Sequence, residues 1–124
     1  MKLSDIKVLV CDDSILVRKR LRELLATIGC TTVWEASNGE QAVSMYKEHL
    51  PDIVFMDIIM PGKTGLEALR EIRAHNSEAK VVMASSVGTQ THLKEAVSVG
   101  VFDFLQKPIA NEQVLKIIRN IQNG

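Results

Sequence analysis

The sequence predicts an α/β fold: a five-stranded parallel sheet with helices on both faces. Three observations lead there. Short apolar runs alternate with helically spaced apolar stripes five times along the chain, and the runs are continuous, as strands buried on both faces require. The chain is 124 residues long, room for one such unit, expected over residues 1–124. Right-handed crossovers between parallel strands then distribute the helices over both sides of the sheet.

Taken in order, Val8 to Cys11 reads as the first strand. Val17, Leu21, Leu24, Leu25 and Ile28 follow in steps that place one helical face on a core, with Gly29 as the stop. Thr31 to Glu35, β-branched and aromatic, is the second strand. Ala42, Met45, Tyr46 and His49 repeat the helical spacing, with Asn38 as a cap before them and Pro51 beyond their end. Ile53 to Met56 is the third strand, and Leu66, Leu69 and Ile72 mark the third helix. Val81 to Ala84 is the fourth strand, followed by a weaker stripe at Leu93, Ala96 and Val97 that ends at Gly100. Val101 to Leu105 is the fifth, and Val114, Ile117, Ile118 and Ile121 form the last helical stripe.

Composition excludes several classes of function. With 46% apolar and 24% charged residues the chain can fold around a core, so disordered and low-complexity readings fail. Fifteen basic and fifteen acidic residues cancel, which argues against the broad basic face that nucleic acid or an anionic membrane would need. Cys11 and Cys30 are too few for a disulfide framework and lack zinc-ligand spacing, so reduced structural thiols are expected. The N-terminal segment has only a four-residue apolar run before two aspartates, too short for a signal-peptide core or a membrane span, and a cytoplasmic location is expected.

In open parallel sheets, ligands bind beyond the carboxyl ends of the strands. Asp12 and Asp13 follow the first strand, Asp57 the third, Ser85 and Ser86 the fourth, and Lys107 stands before Pro108 after the fifth. Each alone is an ordinary turn or cap residue. Together they bring three carboxylates, a hydroxyl and an ammonium to one sheet edge. Two carboxylates about 5 Å apart repel by roughly 3 kcal/mol at an effective dielectric near 20, so such an edge needs a cation. Oxygen donors without imidazole or thiolate suit Mg²⁺ or Mn²⁺ rather than zinc. A phosphoryl group offers three oxygens, one each for metal, Lys107 and the Ser85 hydroxyl, and an aspartate can itself be the nucleophile that forms an acyl phosphate.

With these residues in place the chain resembles the response-regulator receiver domains of two-component signalling, the stand-alone chemotaxis regulators among them. VLVCDDS, DIVFMDIIMPGKTG, VVMASS and FLQKP occur in order at family spacing, and the likeness covers the full length. It implies the flavodoxin-like receiver fold with strand order 2-1-3-4-5. It also implies Asp57 as phospho-acceptor and Asp12 with Asp13 as the acidic pair, Asp13 being the direct metal ligand of the two. The Ile59 backbone carbonyl is a further implied ligand. Ser85 matches the switch hydroxyl, Lys107 the phosphate-binding lysine and Phe104 the switch aromatic, and the peptide before the matching proline, here Pro108, is commonly cis in the family. A sensor histidine kinase as phosphodonor, a downstream protein target and a partner phosphatase come with the resemblance.

Other sharp readings are weaker. Gly62, Lys63 and Thr64 mimic the end of a P-loop, but its first glycine would have to stand where Asp57 is, so a turn leading into a helix is expected. His49 and His75 lie near helix C-termini as dipole partners, and His92 has no hydrolytic companions in sequence. Trp34 is assigned to core or edge packing and the methionines to gap filling. A Mg²⁺-dependent phosphatase using the same aspartate would need a group that orients water. Ile59, two past Asp57, and Val87, two past Ser85, offer none, so slow loss of the phosphate is expected. A receiver cut from the amino-terminal side of a larger DNA-binding or enzymatic regulator is the alternative, distinguished by the size of the native product. On phosphorylation Ser85 is expected to move inward and Phe104 to follow, remodelling a surface of the fourth helix, fifth strand and last helix around Leu93, Phe104 and Gln106. The opposing expectation is Phe104 as a fixed core residue.

Overall fold

The computed structural model describes residues 1–86 and 91–124. Its strands are β1 (Lys7–Cys11), β2 (Thr32–Ala36), β3 (Ile53–Asp57), β4 (Val81–Ser85) and β5 (Asp103–Gln106); its helices are α1 (Ile15–Thr27), α2 (Gly39–His49), α3 (Gly65–His75), α4 (Leu93–Val99) and α5 (Asn111–Asn123). All neighbouring strands pair in parallel, in the order β2-β1-β3-β4-β5, as the resemblance implied.

Two apolar clusters lie on the two faces of the sheet. Leu9, Val54, Met56, Val81 and Met83 point toward α2, α3 and α4, whereas Val8, Val10, Ile53, Phe55 and Val82 point toward α1 and α5. Alternate residues of a strand leave opposite faces, so one continuous apolar run supplies both cores. That reading holds for β3 and β4, buried throughout, and for β1 after its first residue. It fails for the outer strands. Of β5 only Leu105 is buried, because an edge strand has a neighbour on one side only. Its observed span also starts two residues later than Val101: Val101 packs as a half-buried side chain against the core on the α2–α4 side, and Phe102 N–H already bonds Val81 O before the strand proper. Thr31 likewise falls outside β2.

The helix boundaries have local causes. Gly29, at φ 101°, lies just past the end of α1 in a conformation that costs glycine little. Asn38 Oδ1 accepts from Gln41 N–H at 2.8 Å and opens α2. Thr64 and Glu67 form a reciprocal capping box at α3, so the Gly-Lys-Thr segment is a turn into a helix, as expected. In α4 only Ala96 is buried; Val97, which the stripe assigned to the core, is 54% exposed. Four apolar side chains of α5, Val114, Ile117, Ile118 and Ile121, close the second cluster.

Trp34 stacks on His49 with ring centroids 4.1 Å apart, and His75 meets Tyr46 edge to face. His92 stands immediately before α4. Met56, Met60 and Met83 are buried, and both cysteines are free and buried. Among the described residues no helix is long and apolar enough to cross a membrane.

Candidate functional site

The carboxyl ends of β1, β3, β4 and β5 converge on the expected residues. Asp12 directly follows β1, and its N–H donates to Ala36 O at 3.0 Å, so the β1–β2 pairing extends one residue and carries Asp12 to the rim. The residue is 3% exposed. One carboxylate oxygen accepts from Ser14 N–H at 2.9 Å, and the other faces Lys107 Nζ at 2.7 Å. Ser14 caps α1 by accepting from Val17 N–H, which ties the turn to the helix start. Asp13, next in sequence, points out to solvent. Asp57 ends β3 and is buried, with Lys107 Nζ 3.3 Å from its Oδ2.

One carboxylate oxygen from each of Asp12, Asp13 and Asp57 can be chosen so that all three lie within 4.8 Å of one another. Lys107 neutralises part of this charge, and two negative charges remain in excess. All-oxygen donors carrying that excess fit a hard divalent cation such as Mg²⁺. Burial and the charge of Asp12 push the Asp57 carboxyl above its usual range, against the opposing pull of Lys107. Burial works to lower the Lys107 pKa, but the hydrogen bond to Asp12 and the charges of Asp57 and Asp12 prevail and raise it. Lys107 is therefore held as a cation. The neighbouring Cys11 thiol is pushed far up by burial and by Asp12, which makes it inert as a nucleophile, in line with a structural thiol.

Ser85 ends β4 at 1% exposure, and its backbone carbonyl accepts from Lys107 N–H at 2.7 Å, locking the β5 end against β4. The Lys107–Pro108 peptide is cis. Phe104 pairs with Met83 in the β4–β5 register but projects outward, 48% exposed, which excludes the fixed-core expectation. Ile59 is 45% exposed on the β3–α3 connection beside the acidic residues. Val87 lies outside the described residues.

Sequence reasoning missed three supports of this site. The first is Gly65, where a Cβ would clash with the Asp57 backbone; its N–H donates to Ile58 O at 2.7 Å. Gly39 is the second, pressed against the Lys63 carbonyl, so that the start of α2 and the β3–α3 connection meet without a side chain between them. A glycine in a turn carries no sequence signal that separates close approach from simple flexibility. The third is Arg18, which donates to Asp12 O at 2.6 Å and to Glu35 Oε1 at 3.0 Å, while Arg22 holds the other Glu35 oxygen at 2.8 Å. Burial works against the Glu35 charge, yet the two arginines keep its carboxyl below the usual range.

Residues 8–119 match the family model described as response regulator receiver domain. The chain is 39% identical over 117 residues to the chemotaxis protein CheY of Bacillus subtilis, covering 94% of this chain and 98% of that one. It is 36% identical over 115 residues to the chemotaxis protein CheY of Thermotoga maritima, covering 93% and 96%. Among solved structures it superposes on a chain of the CheX-CheY-BeF3-Mg²⁺ complex from Borrelia burgdorferi with a TM-score of 0.86, at 32% identity, covering 94% and 88% of the two chains.

Proposed function

This chain belongs to the response regulator receiver domain family, and on that premise we propose that it takes a phosphoryl group from the phosphohistidine of a sensor kinase onto Asp57 and thereby changes a protein-binding surface. The observation that carries the reading is the shared ammonium of Lys107, 2.7 Å from Asp12 and 3.3 Å from Asp57, at the rim where Asp13 and Ser85 also stand. In this reading an Asp57 carboxylate oxygen attacks phosphorus. The phosphorus–nitrogen bond of the donor breaks, its electron pair stays on the imidazole, and that nitrogen takes a proton from solvent. Asp57 must be ionised to attack, and Lys107 favours that state. The transferred oxygens then replace part of the carboxylate as partners of the Lys107 ammonium, and the Ser85 hydroxyl donates to another.

Asp13, Asp57 and the Ile59 carbonyl would hold Mg²⁺, or Mn²⁺ in its place, with Asp12 adding negative charge behind them. That ion would offset the charge of the incoming phosphoryl group. The chain acts on itself rather than turning over a substrate: Ile59 presents an apolar, half-exposed side chain that can shield the acyl phosphate but cannot orient a water. A partner phosphatase would then end the signal, and the CheX-CheY complex among the similar structures is in keeping with such a partner. Output would pass from Ser85 to Phe104 and a protein target docking on α4, β5 and α5. The outward, half-exposed Phe104 ring supports a residue with somewhere to move.

Incubation with Mg²⁺ and acetyl phosphate, followed by intact-mass measurement, tests the reading. One phosphate is expected on the wild type and none on Asp57→Asn. Phosphate on the variant would move the acceptor elsewhere and overturn the assignment.

A further inference from the structure

Asp13 is the exposed member of the acidic cluster, and among the described residues its carboxylate accepts no hydrogen bond. Its place is therefore set by the backbone, through the peptide that joins it to Asp12. That peptide's carbonyl is the atom Arg18 holds, at 2.6 Å. Arg18 is itself only 13% exposed and is fixed by Glu35, whose second oxygen is occupied by Arg22. The Arg18 guanidinium serves the Glu35 carboxylate through Nε and the Asp12 carbonyl through Nη1, two donors held at a fixed spacing by one rigid plane, whereas an ammonium is a single compact donor on a flexible stem and lacks that fork. The same ion pair keeps the Arg18 cation turned toward β2, so that it does not compete for the carboxylates of the rim.

We infer that Arg18, locked by Glu35, is a positioning residue that fixes the Asp12–Asp13 peptide and makes the acidic site select Mg²⁺ over the larger Ca²⁺. The inference rests on the reading of Asp12, Asp13 and Asp57 as a metal site. Its physical basis is the difference between the ions. Mg²⁺ requires near-ideal octahedral geometry at short distance, while Ca²⁺ accepts six to eight oxygens in flexible arrangements, so a loosened Asp13 harms Mg²⁺ first. Groups that orient metal ligands without touching the metal commonly control affinity in this way.

Calorimetric titration of the intact chain with Mg²⁺ and with Ca²⁺ tests it, at a temperature where circular dichroism shows each variant folded. Arg18→Lys keeps the charge and removes the fork. It is expected to raise the Mg²⁺ Kd about tenfold while the Ca²⁺ Kd changes by less than about twofold. Glu35→Ala is expected to do the same, and Glu35→Gln, which keeps an oxygen acceptor for Arg18, to retain the wild-type ratio of the two constants. A role confined to stability would lower the melting temperature and leave that ratio alone. Equal weakening of both ions, or an unchanged ratio in Arg18→Lys, overturns the inference while the metal site stands. A wild type that binds neither ion overturns the metal site, and this inference with it.

Discussion

The backbone of Asp57 occupies the space that a side chain on Gly65 would need. Gly65 is the first residue of α3, where alanine is ordinarily the better helix former by about 1 kcal/mol. Here the sign reverses, since a methyl group would have to push the Asp57 carbonyl out of the sheet end. Gly65→Ala is expected to destabilise by about 2–3 kcal/mol in urea unfolding, the cost of overpacking against backbone. It should also slow phosphorylation by acetyl phosphate. A variant as stable as the wild type would show that the contact relaxes freely.

Metal binding should appear as stability. A ligand that binds only the folded state adds about 1.4 kcal/mol once it reaches roughly tenfold its Kd, so the melting temperature is expected to rise with millimolar Mg²⁺. Asp13→Asn should remove most of that response. Because Asp13 is exposed and Lys107 already compensates part of the cluster, the metal-free variant is expected to gain only a few tenths of a kcal/mol. A wild type indifferent to Mg²⁺ in differential scanning calorimetry would refute the acidic site.

The pH dependence of the metal-free protein follows from the two shifted groups. Asp57 has its carboxyl raised on folding, so the folded state binds that proton more tightly than the unfolded chain does. Stability contributed by this group is therefore highest in acid and falls as pH rises from the unfolded value through the raised folded one. Asp57→Asn should stabilise the metal-free protein at pH 7, with the advantage shrinking as pH falls through the raised folded value and gone below about pH 4, the unfolded value, where the carboxyl is protonated in both states. Lys107, raised as well, adds stability that is present below its unfolded value and is lost as pH climbs through the folded one. Urea midpoints of wild type and variant from pH 3 to pH 11 would measure both; an advantage that grows toward acid would contradict the assignment.

Variants at Phe104 should separate the proposed output from stability. Half-exposed on an edge strand, it should cost less than about 1 kcal/mol as Phe104→Ala. Phe55, buried in the β3 core, should cost about 3–5 kcal/mol as Phe55→Ala. Ser85→Ala should still accept phosphate, while NMR shifts around Phe104 should stop responding to a fluoroberyllate mimic. Equal responses in wild type and Ser85→Ala would break the proposed link.

The lifetime of the acyl phosphate tests Ile59. Its exposed apolar side chain beside the site offers no hydrogen bond, and Ile59→Asn supplies one that can hold a water in line. Dephosphorylation followed by mass spectrometry is expected to speed up several-fold, against the 10²–10⁴-fold ceiling of a fully positioned base. An unchanged or slower rate would remove Ile59 from the account.

Much of this was legible before any coordinates. Period and composition determined the alternating elements, the two-faced core and the rim residues Asp12, Asp13, Asp57, Ser85 and Lys107, because burial on both faces of a strand writes itself as an unbroken apolar run and polar residues at its end are then conspicuous. Strand order came from resemblance, as pattern alone does not say which parallel strand lies beside which. Tertiary structure alone decided the rest. It turned Phe104 outward, began β5 at Asp103, left Val97 in solvent and placed a guanidinium from α1 on the Asp12 carbonyl. Each of these depends on what stands across from a residue rather than on what precedes it: an edge has no neighbour to bury Phe104, a glycine is obligatory only where another backbone arrives, and an arginine on a helix acquires its role from the strand end it happens to face. Local periodicity records burial, and the close approach of distant backbones leaves no trace in it.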